Sequence, residues 1–369
     1  MKKLLILAAA FCAAACSQNV EVEVANTTGA DREFASVEVL WEQIALDGLT
    51  ADNIVVKHNG EEIPSQVLML DGQPAMLLFQ ADVKANSAET YTLSLGTRSD
   101  YPAKAYGRFV PERLDDYAWE NDKVAFRAYG PALETAPGEM LATPGFDTWV
   151  KCVDTLVVDA RYKRGNYHHN YGDGMDCYKV GRTLGAGASA PFVDSMLWRS
   201  RNFATWETIT NGPLRTIVKF TYAPFQAGDK EVTLTKFISL DAHSHFNHIL
   251  NIYEGDFESL PVAAGFVRHD VKGLTVGDNY LAMYEAASDS HNPEQDGDLY
   301  FAVIQNAAEF APEIDGHAAA LRSVASGEPV EYLAGAGWSG AGIADLDAWK
   351  TIVEAEAAAY LNPLTVTVK

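Results

Sequence analysis

The chain has 369 residues, with 50 acidic and 28 basic side chains and a formal net charge of −22 at pH 7. Repulsion by this excess of negative charge argues against nucleic acid or another polyanion as a partner. A local basic patch can still act, because salt screens charges beyond about 8 Å. The length allows a large core and usually two domains, although large β architectures can extend further as one unit.

The N-terminus has the pattern of a bacterial lipoprotein signal. Lys2 and Lys3 precede an apolar run, residues 4–15, that leads through small residues into Cys16. A run of about twelve apolar residues is too short for a helix across a bilayer of roughly 30 Å. We therefore predict a signal peptide over residues 1–15 and an outer-membrane lipoprotein, lipidated at Cys16, that faces the periplasm or the medium. The alternative is an ordinary secretory signal with Cys16 as an incidental thiol.

Removal of the signal leaves 26 basic and 50 acidic residues, a formal charge of −24. The lipid is then the only predicted contact with a membrane, and no nucleic-acid partner is expected. Cys152 and Cys177 remain in an oxidising compartment. Because they flank a polar stretch, they are expected either to form a disulfide that closes it or to remain two free, buried thiols.

The first part of the mature chain alternates strand-like segments with turn signals. Asp-Gly or Asn-Gly pairs occur at residues 47–48, 59–60 and 71–72. This pattern predicts a small β-sandwich domain over residues 16–98 and a connector with prolines and charges over residues 99–118. The predicted strands are residues 20–24, 34–40, 54–58, 66–70, 75–79 and 90–95.

Longer strand-like segments follow, so the chain is expected to be all-β. Residues 119–369 are too many for an immunoglobulin-type sandwich and suit a large antiparallel two-sheet supersandwich. The only convincing helix runs from about Asp345 to Leu361, with Asp345 as N-cap, and is expected to cover a sheet. The predicted strands are residues 123–129, 149–159, 214–222, 232–239, 246–253, 299–304 and 364–368.

Residues 161–176 (RYKRGNYHHNYGDGMD), here called the polar segment, concentrate bases, acids, phenols and glycines without a hydrophobic period. Such a stretch buries little apolar surface, so it is predicted to be a loop outside the core. Ordering it costs roughly 1–2 kcal/mol per residue, and a binding or catalytic site would explain that cost. Polar packing of its His and Tyr side chains on neighbouring strands is the alternative.

The polar segment holds the three group types that a uronate lyase needs. β-Elimination requires a cation for the sugar carboxylate, a base for the C5 proton and an acid for the leaving oxygen. Arg161 or Arg164 is the predicted cation. The predicted base is His168 or His169, of which an extended backbone presents only one to the sugar, and the predicted acid is Tyr167 or Tyr171.

A hydrolase would instead use two carboxylates, for which Asp173, Asp176 and Glu207 are candidates at a separation that a sequence does not reveal. His245, one of three histidines in residues 243–248 (HSHFNH), is a further catalytic candidate; these histidines are otherwise ordinary strand residues at a polar sheet end. Their spacing is not a strong zinc motif, so no metal site and no cofactor are predicted, and a divalent cation is left open. The predicted substrate-binding residues are Arg161, Lys163, Asp173, Asp176, Arg201 and Trp338.

Several stretches resemble the DUF4861 family. They are residues 105–113 (AYGRFVPER), 119–122 (WEND), 125–131 (AFRAYGP), 167–176, 199–203 (RSRNF), 211–215 (NGPLR) and 337–338 (GW), which together extend over most of the mature chain. The resemblance implies a galactose-mutarotase-like supersandwich and an association with polysaccharide-degrading genes of Bacteroidetes. It indicates fold and substrate class better than reaction.

Three hypotheses follow. The first is an exported carbohydrate-active enzyme, foremost a lyase on uronate-containing glycans or oligosaccharides. The second is a glycan-binding lipoprotein without turnover, and the third is a glycoside hydrolase or a sugar epimerase or mutarotase. Convergence of Arg164, His168, Tyr171 and His245 in one cleft would favour an enzyme, and an aromatic platform with those residues dispersed would favour binding alone.

Overall fold

The structure is a computed structural model that describes residues 19–287, 289 and 296–369. The predicted signal peptide and Cys16 lie outside the described residues. Within them, twenty-six strands, β1–β26, and two α-helices, α1 and α2, are numbered in chain order. No helix in these ranges is long and apolar enough to cross a membrane.

The N-terminal part is a small sandwich of two antiparallel sheets. One sheet has the order β26-β1-β7-β3-β4 and the other β2-β6-β5. Alternate valines of β1, namely Val20, Val22 and Val24, are buried in the core between them because successive side chains of a strand point to opposite faces. The strands are β1 Asn19–Asn26, β2 Arg32–Leu40, β3 Ile54–His58, β4 Glu61–Ile63, β5 Ser65–Leu70, β6 Gln73–Val83 and β7 Ser87–Leu95.

A five-stranded sheet of order β12-β11-β10-β9-β8 comes next and carries α1 on its outer face. Its strands are β8 Ala105–Val110, β9 Asp116–Asn121, β10 Ala125–Ala128, β11 Phe146–Lys151 and β12 Gly174–Asp176, and α1 is Val158–Arg164. Strand β8 lies inside the segment predicted as a connector, residues 99–118. The strand predicted over residues 149–159 ends at Lys151. The chain then turns into α1, whose start is held by the Glu120 carboxylate, which accepts from the amides of Val157 and Val158.

Two further sheets complete the larger part, with orders β14-β13-β19-β24-β23 and β15-β16-β17-β18-β25-β22-β21-β20. The bounds are β13 Ala186–Val193, β14 Met196–Leu197, β15 Thr205–Thr210, β16 Arg215–Ala227, β17 Lys230–Asp241, β18 Phe246–Gly255, β19 Leu260–Val267, β20 Val271–Val276, β21 Tyr280–Ala286, β22 Asp298–Ile304, β23 Glu309–Ile314, β24 His317–Val324 and β25 Pro329–Trp338. The main core fills the space between the eight-stranded sheet and two five-stranded sheets, the sheet β8–β12 and the sheet of order β14-β13-β19-β24-β23.

Helix α2, Leu346–Leu361, covers the outer face of the eight-stranded sheet, where Trp349 and Val353 are fully buried. Asp345 is its N-cap, as predicted, and accepts from the Ala348 amide at 2.8 Å. The last strand, β26 Thr365–Val368, leaves the large part and pairs with β1 of the small sandwich, although the sequence places residues 119–369 in one domain. The predicted fold class is confirmed: an all-β chain with a small sandwich, a large antiparallel supersandwich and a late covering helix.

Candidate functional site

The outer face of the sheet β8–β12, here called the charged layer, is unusually polar and buried. Arg127 on β10 is paired across the strands with Asp147 on β11, and Trp149 is paired with Asp176 on β12, so all four side chains point to this face. Helix α1 and the polar segment cover it. Val158 of α1 packs there against Trp149, Tyr162 and Tyr167.

One arginine balances several carboxylates in this layer. Arg127 Nη2 lies 2.5 Å from Asp147 Oδ2 and 3.0 Å from Asp176 Oδ2, and Nη1 lies 3.8 Å from Asp116 Oδ2. Burial raises the pKa of Asp116 and of Asp147 to about 7 and that of Asp176 to about 6. Burial alone would lower the pKa of Arg127, but the neighbouring carboxylates hold it well above the usual value. A permanent cation therefore faces acids that bind protons readily.

Aromatic rings enclose the guanidinium of Arg127. Its central carbon lies 5.2 Å from the ring centroids of Tyr129 and Trp149 and 5.4 Å from that of Tyr167. Cations within about 6 Å of such a ring are attracted by its quadrupole. The rings therefore help to keep the charge in place away from water.

Tyr167 lies at the edge of this layer, with its ring stacked 4.8 Å from that of Trp149. Its hydroxyl oxygen accepts from Arg113 Nε at 2.9 Å and from Arg127 Nη1 at 3.4 Å. Two donors occupy both lone pairs of a phenol oxygen, so the hydroxyl proton must point away from them. Tyr167 is therefore arranged as a proton donor.

His168 stands beside Tyr167, with 4.9 Å between their ring centroids. Its Nδ1 lies 3.1 Å from the backbone carbonyl oxygen of Asp176 and 3.7 Å from the carboxylate Oδ2. A proton on Nδ1 satisfies these acceptors and leaves the lone pair on Nε2. Because 37 % of the side chain is exposed, Nε2 is available to a ligand as a base.

His169 and Tyr171 form a separate, exposed group. Their rings meet edge to face at 4.6 Å, and the Arg164 guanidinium lies 4.3 Å from the Tyr171 ring centroid. Arg164 Nη2 donates to both carboxylate oxygens of Asp173, at 3.0 and 3.2 Å. The charge of Arg164 is thus compensated inside the polar segment, where Lys163 is also exposed.

The prediction that the whole polar segment is a surface loop is wrong. Its first residues complete α1, its last three form β12, and Arg161 has no exposed surface. Arg161 Nη2 donates to the carbonyls of Val150 and Asp173, at 2.8 and 2.6 Å. Such bonds offset the cost of burying a charge. Arg161 and the buried Asp176 therefore support the segment from beneath and do not reach solvent, contrary to their predicted contact with substrate.

Gly174 is required where the segment returns to the sheet. Its φ of +98° is in the left-handed region, and a Cβ there would lie 2.1 Å from the Val150 carbonyl oxygen and 2.7 Å from Arg161 Nη2. Only glycine permits this approach. The turn thereby sets the positions of Tyr167 and His168 above the sheet.

The remaining predicted site residues lie elsewhere. His245 and Trp338 line a small pocket at the ends of β11, β18 and β25. His245 Nδ1 lies 3.2 Å from the Ala336 carbonyl oxygen, and burial lowers its pKa. Arg201 Nε donates to Glu134 at 2.8 Å. No hydrogen bond, ion pair or ring contact among the described residues joins His245 to the polar segment.

Cys152 is exposed and Cys177 is buried, and the two do not form a disulfide with each other. Within residues 19–287, 289 and 296–369, no group of three or more His, Cys, Asp or Glu side chains is placed to hold a metal ion. The sequence reasoning missed Arg113, Arg127 and Asp147. An arginine within the otherwise apolar strand Ala125–Ala128 (AFRA) is the signal that could have revealed the charged layer.

Comparisons with known proteins agree with this architecture. The sequence model of a family described as "Domain of unknown function (DUF4861)" matches residues 24–366. An "Uncharacterized protein P7" of Formosa agariphila is 32% identical over 307 residues, 74% of each chain.

Two solved structures from Enterococcus faecalis are also similar. A protein in the glycosyl hydrolase family 38 superposes with a TM-score of 0.52 at 10% identity, covering 95% of this chain and 47% of that one. An alpha-mannosidase gives a TM-score of 0.45 at 10% identity, covering 95% and 46%. The chain spans about half the length of these structures, and the first likeness is one of fold.

Proposed function

Since this chain belongs to the DUF4861 family, whose name assigns no activity, we propose a function from its own site: an exported lipoprotein that cleaves uronate-containing glycans or oligosaccharides by β-elimination. The observation that carries the proposal is the pair formed by Tyr167 and His168, an oriented proton donor beside an oriented base. The fold shared with a glycosyl hydrolase family 38 protein supports carbohydrate as the substrate class.

The two groups suit the two proton transfers of the reaction. His168 Nε2 would take the proton from C5 of the uronate while Tyr167 gives its hydroxyl proton to the oxygen that leaves C4. The C5–H and C4–O bonds break, a C4=C5 double bond forms, and the proton on His168 then returns through solvent to the Tyr167 phenolate. Both side chains project from one short segment, so they favour a reaction on one face of the sugar ring.

Arg113 is the best candidate for neutralising the substrate carboxylate. Its Nε donates to the Tyr167 hydroxyl and its Nη2 pairs with Glu139 at 2.6 Å, while its Nη1 is buried and has no hydrogen-bond partner among the described residues, so a substrate carboxylate would take the place of Glu139. Charge compensation at this carboxylate favours loss of the C5 proton. Arg164, one of the two cations that the sequence predicts, pairs with Asp173 and makes no contact with Tyr167 among the described residues.

A hydrolase using Asp147 and Asp176 is less well supported. These carboxyl groups lie close enough to share one guanidinium nitrogen, but both are buried beneath Tyr167 and the polar segment. A scissile bond and a water would need direct access to both. Asp173 is bound by Arg164, and the exposed Glu207 lies on β15 beside Lys219.

A glycan-binding protein without turnover is the second candidate, favoured by Trp206. Its indole is 40 % exposed and stacks on Phe109, with 4.8 Å between ring centroids and 17° between ring planes. A flat, supported ring with a free face can stack on the apolar face of a pyranose. Binding that depends on Trp206 alone, without cleavage, would favour this candidate.

The test is absorbance near 235 nm during incubation with a panel of uronate-containing polysaccharides, because elimination creates a conjugated 4,5-unsaturated uronate. We expect a rise for at least one substrate that Tyr167→Phe abolishes. Tyr171→Phe is the matched control, since Tyr171 lies outside the charged layer. New reducing ends without absorbance would instead indicate a hydrolase, and binding without either signal would indicate a glycan-binding protein.

A further inference from the structure

A second group of side chains, apart from the polar segment, meets where the small sandwich joins the supersandwich. It consists of Phe34 from β2, Lys104 from the link before β8, Asp122 after β9, and His243 between β17 and β18. We call it the junction site. No hydrogen bond, ion pair or ring contact links these four residues to Tyr167 or His168 in the described part of the chain.

His243 is held by the nearly buried carboxylate of Asp122. The backbone amide of His243 donates to Asp122 Oδ1 at 2.6 Å, and its Nδ1 lies 2.8 Å from Oδ2. The backbone has a φ of +69°, a left-handed conformation that is uncommon for a residue with a side chain. These bonds fix the ring so that Nε2 points away from Asp122.

Lys104 completes the polar side of the junction site. It is exposed, and its Nζ lies 3.0 Å from His243 Nε2. With Nδ1–H directed at Asp122, His243 Nε2 accepts from the Lys104 ammonium, so the Asp122–His243 pair holds Lys104 in place and leaves its other N–H groups for a ligand oxyanion. A carboxylate or sulfate oxygen would accept a charge-assisted hydrogen bond from Lys104 Nζ beside the His243 ring.

Phe34 supplies an apolar wall. Its ring is 50 % exposed, and its centroid lies 4.1 Å from that of the His243 ring at an angle of 31°. Its φ of +51° falls where the β2–β6 register shifts between Arg32 and Ala35, and its amide donates to Asp82 Oδ1 at 2.8 Å. A phenylalanine in this conformation is strained, and such strain clusters at ligand sites.

We propose that the junction site binds an acidic sugar residue. Lys104, positioned by His243, holds its oxyanion, and the exposed Phe34 ring packs against the apolar face of its ring. The ligand chemistry is an oxyanion on a pyranose, supplied either by a uronate carboxylate or by a sulfate ester. Binding at the junction site does not require turnover at Tyr167 and His168. The junction site can therefore hold one part of a glycan chain while another part of the same chain is cleaved, or it can retain the glycan without cleavage.

The experiment is titration of the purified protein, labelled with ¹⁵N-histidine, while the imidazole signals are followed by NMR. The ligands are a tetragalacturonate, a sulfated neutral tetrasaccharide and maltotetraose, and His243→Ala assigns the signal among the nine histidines. We expect a saturable shift of the His243 signal with the uronate. A similar shift with the sulfated sugar would show that the site recognises negative charge on a sugar. No shift with the sulfated sugar would show that the site recognises the carboxylate specifically.

Two variants with exposed side chains test the recognition without disturbing the core. Lys104→Ala and Phe34→Ala should each weaken binding at the His243 signal by at least about tenfold. His58→Ala is the matched control, because His58 also pairs with a carboxylate, Glu89, and stacks on Tyr91, yet belongs to a different surface. Its binding should be unchanged.

The failure of this proposal and that of the lyase are distinguishable. His168→Ala should abolish elimination and leave the His243 shift intact. Absence of any shift with both acidic sugars, or an equal shift with maltotetraose, would overturn the junction site whatever the lyase assay shows. Unchanged affinity in both Lys104→Ala and Phe34→Ala would overturn it as well.

Discussion

Arg127 Nη2 lies 2.5 Å from Asp147 Oδ2, and both side chains are almost entirely removed from solvent. The pair joins neighbouring strands β10 and β11 directly beneath Tyr167, so it couples the stability of the sheet to the position of the proposed acid. Removing one partner of a buried ion pair leaves an uncompensated charge in a medium that solvates it poorly.

We expect Arg127→Leu to lower the free energy of unfolding by about 3–5 kcal/mol, because Asp147 and Asp176 lose their shared counter-charge. Urea denaturation measures this change. Arg201→Leu is the control: Arg201 pairs with Glu134 on the surface, and its loss should cost at most about 1 kcal/mol. Equal effects of the two substitutions would contradict a supporting role for Arg127.

The two adjacent histidines should differ in their contribution to activity. His168→Ala removes the base held by Asp176, and general-base catalysis typically contributes about 10²–10⁴-fold, so kcat should fall by at least about a hundredfold. His169 is exposed and packs on Tyr171, so its loss should change kcat by less than about tenfold. Initial rates at 235 nm measure both, and equal losses would refute the assignment of His168.

Lys236 should make stability depend on alkaline pH. It occupies a core position of β17 between Leu234 and Ile238. Among the described residues its Nζ has no hydrogen-bond partner, and it lies 4.4 Å from the ring centroid of Phe146. Burial lowers the pKa of Lys236 from 10.5 to about 7. Between these values the unfolded chain binds a proton that the folded chain does not, so stability rises with pH from about 7 to about 10.5.

Lys236→Met should therefore stabilise the protein, by up to about 4 kcal/mol at pH 7 and by much less at pH 10. Urea denaturation at the two pH values gives the difference. Lys163→Met, at an exposed position of α1, should produce no such pH-dependent gap. A constant gap between wild type and Lys236→Met would mean that the buried amine does not titrate in this range.

Lipid attachment is predicted at Cys16, outside the described residues. Cells fed labelled palmitate should label the wild-type protein, and Cys16→Ala should remove the label and the partition into detergent, because the thiol is the acylation site. Cys152→Ala, at an exposed cysteine of the body, is the control and should keep both. Label that persists in Cys16→Ala would indicate another acylation site, and a wild-type protein without label would favour an ordinary secretory signal.

The sequence by itself determined the elements whose cause is local. Alternating side chains predicted the strands of the small sandwich, and Asp345 predicted the start of α2, because strand periodicity and helix capping depend on neighbours along the chain. The sequence also predicted an acid, Tyr167 or Tyr171, and a base, His168 or His169, within one short segment, but it did not choose between the members of each pair. Its likeness to the DUF4861 family is confirmed by the match over residues 24–366.

Only the tertiary structure decided which charges are buried and which groups meet. Arg113, Arg127 and Asp147 come from separate parts of the chain and reach Tyr167 only because β8–β12 form one sheet. Arg161 looked like a surface cation, yet carbonyl partners and the close approach at Gly174 allow it to be buried. Burial of a charge depends on partners distant in sequence, and no local pattern records those partners.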